Sequence, residues 1–206
     1  MNTTAANAVI RYIDSNGLDD IDALVRYAYY VADYYGTASA SIAALMYDAI
    51  TEASGKYYPP AEMADSPSYG DVAKQVQGTL KHSQNPEKIA GSVSRLVKLQ
   101  GQDTLLNNAI RDGAEFAWIP SGDTCPFCIM LASNGWRKIS KKALKNGHAE
   151  HIHANCDCSY MIRHSSDFDV DDYDPEKYYQ MYADAEGNTG TEKVNFMRRM
   201  QYGKTN

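Results

Sequence analysis

The chain has 206 residues, enough for one domain or a domain with an appendage, and its 44% hydrophobic content is ordinary for a globular protein. The formal net charge of -6 and pI near 5.3 exclude nucleic-acid binding driven by bulk charge. A core of the size such a chain buries needs no covalent staples, so its four cysteines call for another explanation.

The N-terminus, "MNTTAANAVIRYIDSNG", lacks the basic start, apolar core and small-residue cleavage site of a secretory signal. No run reaches the about 18 apolar residues of a membrane span. The expectation is a protein made in a reducing cytoplasm, where paired cysteines point to metal or redox chemistry before disulfides. The 16 tyrosines against 4 phenylalanines suit partly buried faces and contact surfaces.

In chain order, "AANAVIRYI" is a short amphipathic helix closed by Asn16-Gly17. In "DDIDALVRYAYYVADYY", Ile21, Leu24, Val25, Ala28, Val31 and Ala32 recur at helical spacing, with Asp19 or Asp20 as cap. Tyr27, Tyr30 and Tyr34 run beside them. Gly36 predicts the end of that helix, and "TASASIAALMYDAITEAS", stopped by Gly55, a second one folded back as an antiparallel hairpin. "KYYPPAEMADSPSYG" reads as a loop. "YGDVAKQVQGTLKH" follows, then a helical pattern from Pro86 to Ala117 that Gly101 is able to divide. These stripes are core positions.

From "WIPSGDTCPFC" to about Ser165 the pattern changes to short apolar runs among turns, with "SYMIRH" reading as a short strand. "RKISKKALK" is a basic patch best explained as a solvated turn. The acidic "DFDVDDYDPEKYYQMYADAEG" leads into a helix with Pro175 in its first turn. The tail is either one more helix or disordered. The expected fold class is mainly α: a helical hairpin or bundle (1–117), a small α+β Cys/His zinc-binding module (118–166), and an acidic linker with a C-terminal helix (167–206).

The chemistry concentrates in C-x2-C (Cys125, Cys128) and, after 24 residues, H-x2-C-x-C (His153, Cys156, Cys158). Two thiolates two residues apart in a tight turn, favoured by Pro126, converge on one metal, and a second cluster completes a tetrahedron. A redox pair is the weaker account, since no βαβ pattern surrounds it. Ordinary free cysteines are the remaining one. "HAE" beside C-x2-C is suggestive of zinc deaminases, but the order is reversed and the proline lies inside the pair. Five candidate ligands over-supply a site, whereas a catalytic zinc keeps an open position, so the reading is structural. Two ligand sets remain: three cysteines with His153, which is preferred, or all four cysteines with His153 hydrogen-bonding a sulfur or a carbonyl. His148, His151 and His164 read as surface histidines. Asp167, Asp169 and Asp171 imitate a calcium loop, but its required glycine is Asp172 and its closing glutamate Tyr178. Serine-hydrolase, P-loop and dinucleotide fingerprints are absent.

"SGDTCPFCIMLASNGW" followed by "HANCDC" resembles the signature of the phage minor capsid or head morphogenesis proteins related to the F protein of phage Mu, in their actinobacteriophage form. Asp123, Cys125, Cys128, Gly135, His153, Cys156 and Cys158 match that motif. "VADYYGTASASIAALMYDAI" and "YDPEKYYQMYADA" are similar to the family's helical parts. The resemblance implies a virion protein at the inner capsid or portal vertex, present in few copies and assisting head assembly or DNA delivery. Some relatives carry fused enzymatic domains, for which this chain has no room, so the expectation is a non-enzymatic protein. Its implied partners are the portal or other head proteins, with no membrane, no sequence-specific nucleic acid and no small-molecule substrate. The competing readings are a zinc-dependent nuclease or deaminase-like enzyme and a host regulatory protein.

Overall fold

A computed structural model describes residues 2–121, 124–138 and 158–203. The chain is mainly helical, and among the described residues it holds seven helices and one three-stranded sheet. The described residues divide into two compact units, one of residues up to Asn108 and one of the described residues from Ala109 onward. No described helix is long and apolar enough to cross a membrane.

The first unit begins with α1 (Asn2–Asn16), which buries Ala5, Ala8, Val9 and Ile13 on one face. Gly17, at φ 72°, donates its N–H to the Ile13 carbonyl and closes the helix. Asp20 caps α2 (Ile21–Ala53) by accepting the Ala23 N–H at 2.8 Å. Leu24, Val25, Ala28, Val31 and Ala32 of α2 meet Val72 and Val76 of α3 (Tyr69–Leu80) and Ile89, Val93 and Val97 of α4 (Pro86–Asp112) in one apolar cluster. The periodic positions of α2 are core, as expected, except Ile21, which stands at the helix start and is exposed.

The glycines are a correction. Gly36 does not end a helix, and no hairpin forms there: α2 runs unbroken for 33 residues. Gly101 does not divide α4 either. A Cβ on Gly36 would occupy the place of the Gln100 amide oxygen, and one on Gly101 would collide with the Ser39 hydroxyl while lying 3.3 Å from the Ser39 carbonyl oxygen. Both glycines therefore make room for a residue of the other helix, Gly36 for the Gln100 side chain and Gly101 for Ser39. The about 0.5–1 kcal/mol that each costs in a helix interior is offset by packing that a side chain would prevent. The helical pattern read as reaching Ala117 ends at Asp112, where Gly113 (φ 67°) turns the chain into a strand.

Residues 56–68 form no helix or strand, but they are held. The Asn108 side chain accepts from the Glu62 N–H at 2.9 Å and donates to the Glu62 carbonyl at 2.7 Å. Thr104 Oγ1 accepts from the Ala64 N–H at 3.0 Å. Gln100 Nε2 donates to the Ala64 carbonyl (3.1 Å) and to Ser66 Oγ (3.2 Å). Asp48 of α2 accepts from Ala61 N–H at 2.8 Å. Positions 100, 104 and 108 lie one turn apart, a rise of about 6 Å per step. Alternate residues of an extended chain advance about 6.6 Å. The two periods nearly match, so one helical stripe addresses every second strap residue, with the chains running in opposite directions.

Replacing Asn108 by Ala removes the Glu62 contacts and should destabilise the protein by about 1–3 kcal/mol. It should also open the strap to trypsin at Lys56, which is read by limited proteolysis of mutant and parent. Asp103, one position before Thr104, has its carboxyl pushed up to about 6 by burial. A raised acid pKa means that the folded state holds its proton more tightly than the unfolded chain. Stability therefore falls as pH rises from about 4 through 6, by up to about 3 kcal/mol for a shift from 3.8 to about 6. Asp103→Asn should raise the melting temperature at pH 7 to 8, and the gain should vanish towards pH 4.

Candidate metal centre

The second unit is organised by β1 (Glu115–Ile119), flanked by β2 (Arg137–Lys138) and β3 (Ser159–Arg163), both antiparallel to it. The pair Trp118↔Tyr160 stacks edge to face at 4.4 Å, and Phe116 meets the same tyrosine at 5.6 Å. Glu115 stands opposite Arg163 and accepts its Nε–H at 2.8 Å. The predicted strand in "SYMIRH" is β3. β1, by contrast, falls on residues read from sequence as the end of a helix.

The register places the cysteine segments. Ile119, the last residue of β1, pairs with Ser159, the first of β3. The chain leaving β1 towards Cys125 and the residue entering β3, Cys158, thus depart from the same end of the ladder. Cys125 is the N-cap of α5 (Pro126–Ala132), with extended φ and ψ, and Pro126 occupies the first helical turn. C-x2-C is therefore the opening turn of a helix, in which the cap and the third residue point the same way. The two sulfurs lie 3.5 Å apart. That is far beyond the about 2.05 Å of a disulfide. It is close to the about 3.8 Å edge of a tetrahedron built on zinc–sulfur bonds of about 2.3 Å. Cys128 is 1% and Cys158 3% exposed, so both thiols lie out of bulk water.

Surrounding elements fix α5. Ile129 packs with Ala185, Val194 and Met197, the last two from α7 (Gly190–Tyr202). Tyr178 and Tyr182 of α6 (Pro175–Ala183) pack against this cluster. Lys193 Nζ donates to the carbonyls of Tyr182, Ala183 and Ala185, closing the end of α6. Tyr173 donates its hydroxyl to the Ala132 carbonyl at 2.8 Å. Burial first, then the neighbouring Tyr178 and Asp169, push the Tyr173 phenol up to about 12, so it remains a donor at any physiological pH. Gly135, one of the motif residues, adopts φ 60° and turns the chain from α5 into β2, with Pro175 packed over it. Burial raises the Tyr178 phenol, and Cys158 and Asp174 raise it further.

Of the five predicted ligands, the structure brings Cys125 and Cys128 together, and Cys158 directly precedes β3. His153 and Cys156 lie outside the described residues, as do Asp123, His148 and His151. Among the described residues no three His, Cys, Asp or Glu side chains converge as a metal set. His164, expected on the surface, is half-buried just after β3. Sequence reasoning missed the role of Trp136. Its indole N–H donates to Asp169 Oδ1 at 3.0 Å, and the Arg163 guanidinium lies 4.5 Å from its ring centroid. The hydrogen bond from Val170 N–H, then that from Trp136, hold the Asp169 carboxyl below its ordinary value. Asp169, read as part of a failed calcium loop, is thus engaged in fixing β2 to β3. The one signal in sequence was a tryptophan directly after the Gly135 turn.

In comparison with known families, a family model described as VG15 protein matches residues 1–185. No curated protein and no solved structure matches the chain.

Proposed function

The chain belongs to the VG15 protein family, a family of phage proteins, and from that premise we propose that it is a non-enzymatic minor capsid or head morphogenesis protein. It acts in the virion, at the inner capsid or portal vertex, through contacts with the portal or another head protein. A structural zinc ion stabilises it, held by Cys125 and Cys128 on one side and by members of His153, Cys156 and Cys158 on the other. The observation that carries the metal reading is the Cys125–Cys128 sulfur separation of 3.5 Å in the opening turn of α5. The burial of Cys128 and Cys158 supports a structural role, because catalytic zinc keeps a position open to water or substrate. Protein contacts are supported by exposed aromatic and thioether side chains, among them Tyr57, Tyr179, Met200 and Tyr202.

Two experiments test this reading. Purified under reducing conditions, the protein should carry one tightly held zinc per chain, and chelation should unravel the second unit while the helices of the first persist. Cys125→Ser and Cys128→Ser should abolish metal retention. With three cysteines and His153 as the set, His153→Ala should do the same. An all-thiolate set would limit its effect to the about 10–100-fold loss typical of an outer partner. Stable, folded, metal-free protein would refute the zinc site. Separately, co-expression with the portal protein should yield a complex, and the chain should be found in purified particles. Its absence from normally assembled particles would refute the virion role.

A further inference from the structure

The long helix α2 carries, from Tyr34 to Tyr47, fourteen residues without a single charge, about 21 Å of helix. One side of this stretch is core: Gly36, Ala40, Ala43 and Tyr47 are buried. The other side is open, with Leu45 67%, Tyr34 59% and Ile42 46% exposed. Tyr34, Ala38, Ser41 and Leu45 follow one another at intervals of four, three and four, the spacing of a helix-pairing seam. Scattered apolar surface needs no explanation, whereas a continuous charge-free seam does.

The order of sizes along the seam identifies its occupant. Reversing the segment about a point between Ser41 and Ile42 sets Ser41 against Ile42, Ala38 against Leu45, and Tyr34 against Ala49. Every large side chain then meets a small one, as interdigitating helices require. In the same register the flanking acids avoid each other, Asp33 standing opposite Ile50 and Asp48 opposite Tyr35. A parallel pair in register would instead set Leu45 on Leu45, Ala38 on Ala38 and each aspartate on its own copy. We infer that this face is a self-association surface: two copies of the chain pair through α2, antiparallel, about a two-fold axis between Ser41 and Ile42. The contact is isologous, as closed dimers demand. A seam of this length buries less than the about 800 Å² per partner of a standard stable interface, so the pairing is weak and concentration-dependent in solution. The inference rests on α2 alone and is independent of the metal site and of the virion role.

Sedimentation of the full chain over a series from micromolar to submillimolar should show a reversible monomer–dimer equilibrium. Leu45→Lys, at an exposed position, and Ala38→Glu, at a half-buried one, should each weaken it by about tenfold or more, as expected for a charge placed in a buried seam. Circular dichroism should show unchanged helicity in both. Residues 38 and 45 oppose each other across the two-fold axis, so the double variant carrying both changes should recover dimerisation by forming two complementary pairs. A chain that remains monomeric throughout the series overturns the inference. So does a dimer indifferent to Leu45→Lys, which would place the contact elsewhere. A double variant no better than the single ones overturns the antiparallel register.

Discussion

Three polar side chains, Gln100, Thr104 and Asn108, hold the first unit in its particular shape. They lie on one stripe of α4, they are themselves buried, and they hydrogen-bond the backbone of residues 62–66. Burying irregular chain is costly because its N–H and C=O groups lose water. Here the side chains supply the missing partners, and the segment between α2 and α3 runs along the helix instead of looping into solvent. Thr104 and Asn108 also have bonds to the carbonyls of Gln100 and Thr104. Only the Gln100 amide oxygen is left buried without a hydrogen-bond partner on this stripe. Its other polar groups join the strap in one network, and such networks specify a unique arrangement where apolar contacts tolerate several.

Gln100 joins this network to the helix crossing. Its amide nitrogen holds Ala64 and Ser66, while its oxygen fills the space where Gly36 has no Cβ. A larger residue at position 36 would displace an amide already pinned at its other end. The polar stripe thus explains a glycine in the middle of a 33-residue helix. It also explains why the sequence misled at this point. A glycine followed by "TASAS" has the local signature of a helix stop, and only the neighbouring helix makes it a packing position. The amphipathic periodicity of α1, α2 and α4 was plain because it depends on local spacing alone. The strap was recognisable as irregular from its prolines, but its hydrogen bonds join residues 34 to 46 positions apart and leave no local pattern.

In the second unit the same division holds. Cys125 and Cys128 were recognisable from spacing, because an N-cap and the third residue of a helix share a side. β3 was recognisable from its composition. β1 was not, since "EFAWI" follows a helix after a single glycine turn and its apolar residues continue the helical period by coincidence. Its aromatic residues, packing on Tyr160, make it a strand through contacts more than forty residues away. Trp136 and Asp169, 33 positions apart, were invisible to sequence for the same reason.

The two units also differ in what stabilises them. The first has an apolar cluster drawn from four helices. In the second unit Ile129, Ala185, Val194 and Met197, contributed by short helices and a loop, form a smaller buried cluster beneath α5, besides the buried sheet residues Phe116, Trp118, Tyr160 and Ile162. A small core of this kind gains most from a staple. A metal held by Cys125 and Cys128 at the start of α5, with a ligand from the segment entering β3, would tie that helix to the end of the β1–β3 ladder. The flanking Tyr173–Ala132 and Gln201–Thr124 hydrogen bonds secure the same helix at its far end and beside its cap. The proposed ion would thus complete a set of restraints on one seven-residue helix that is too short to be stable by itself.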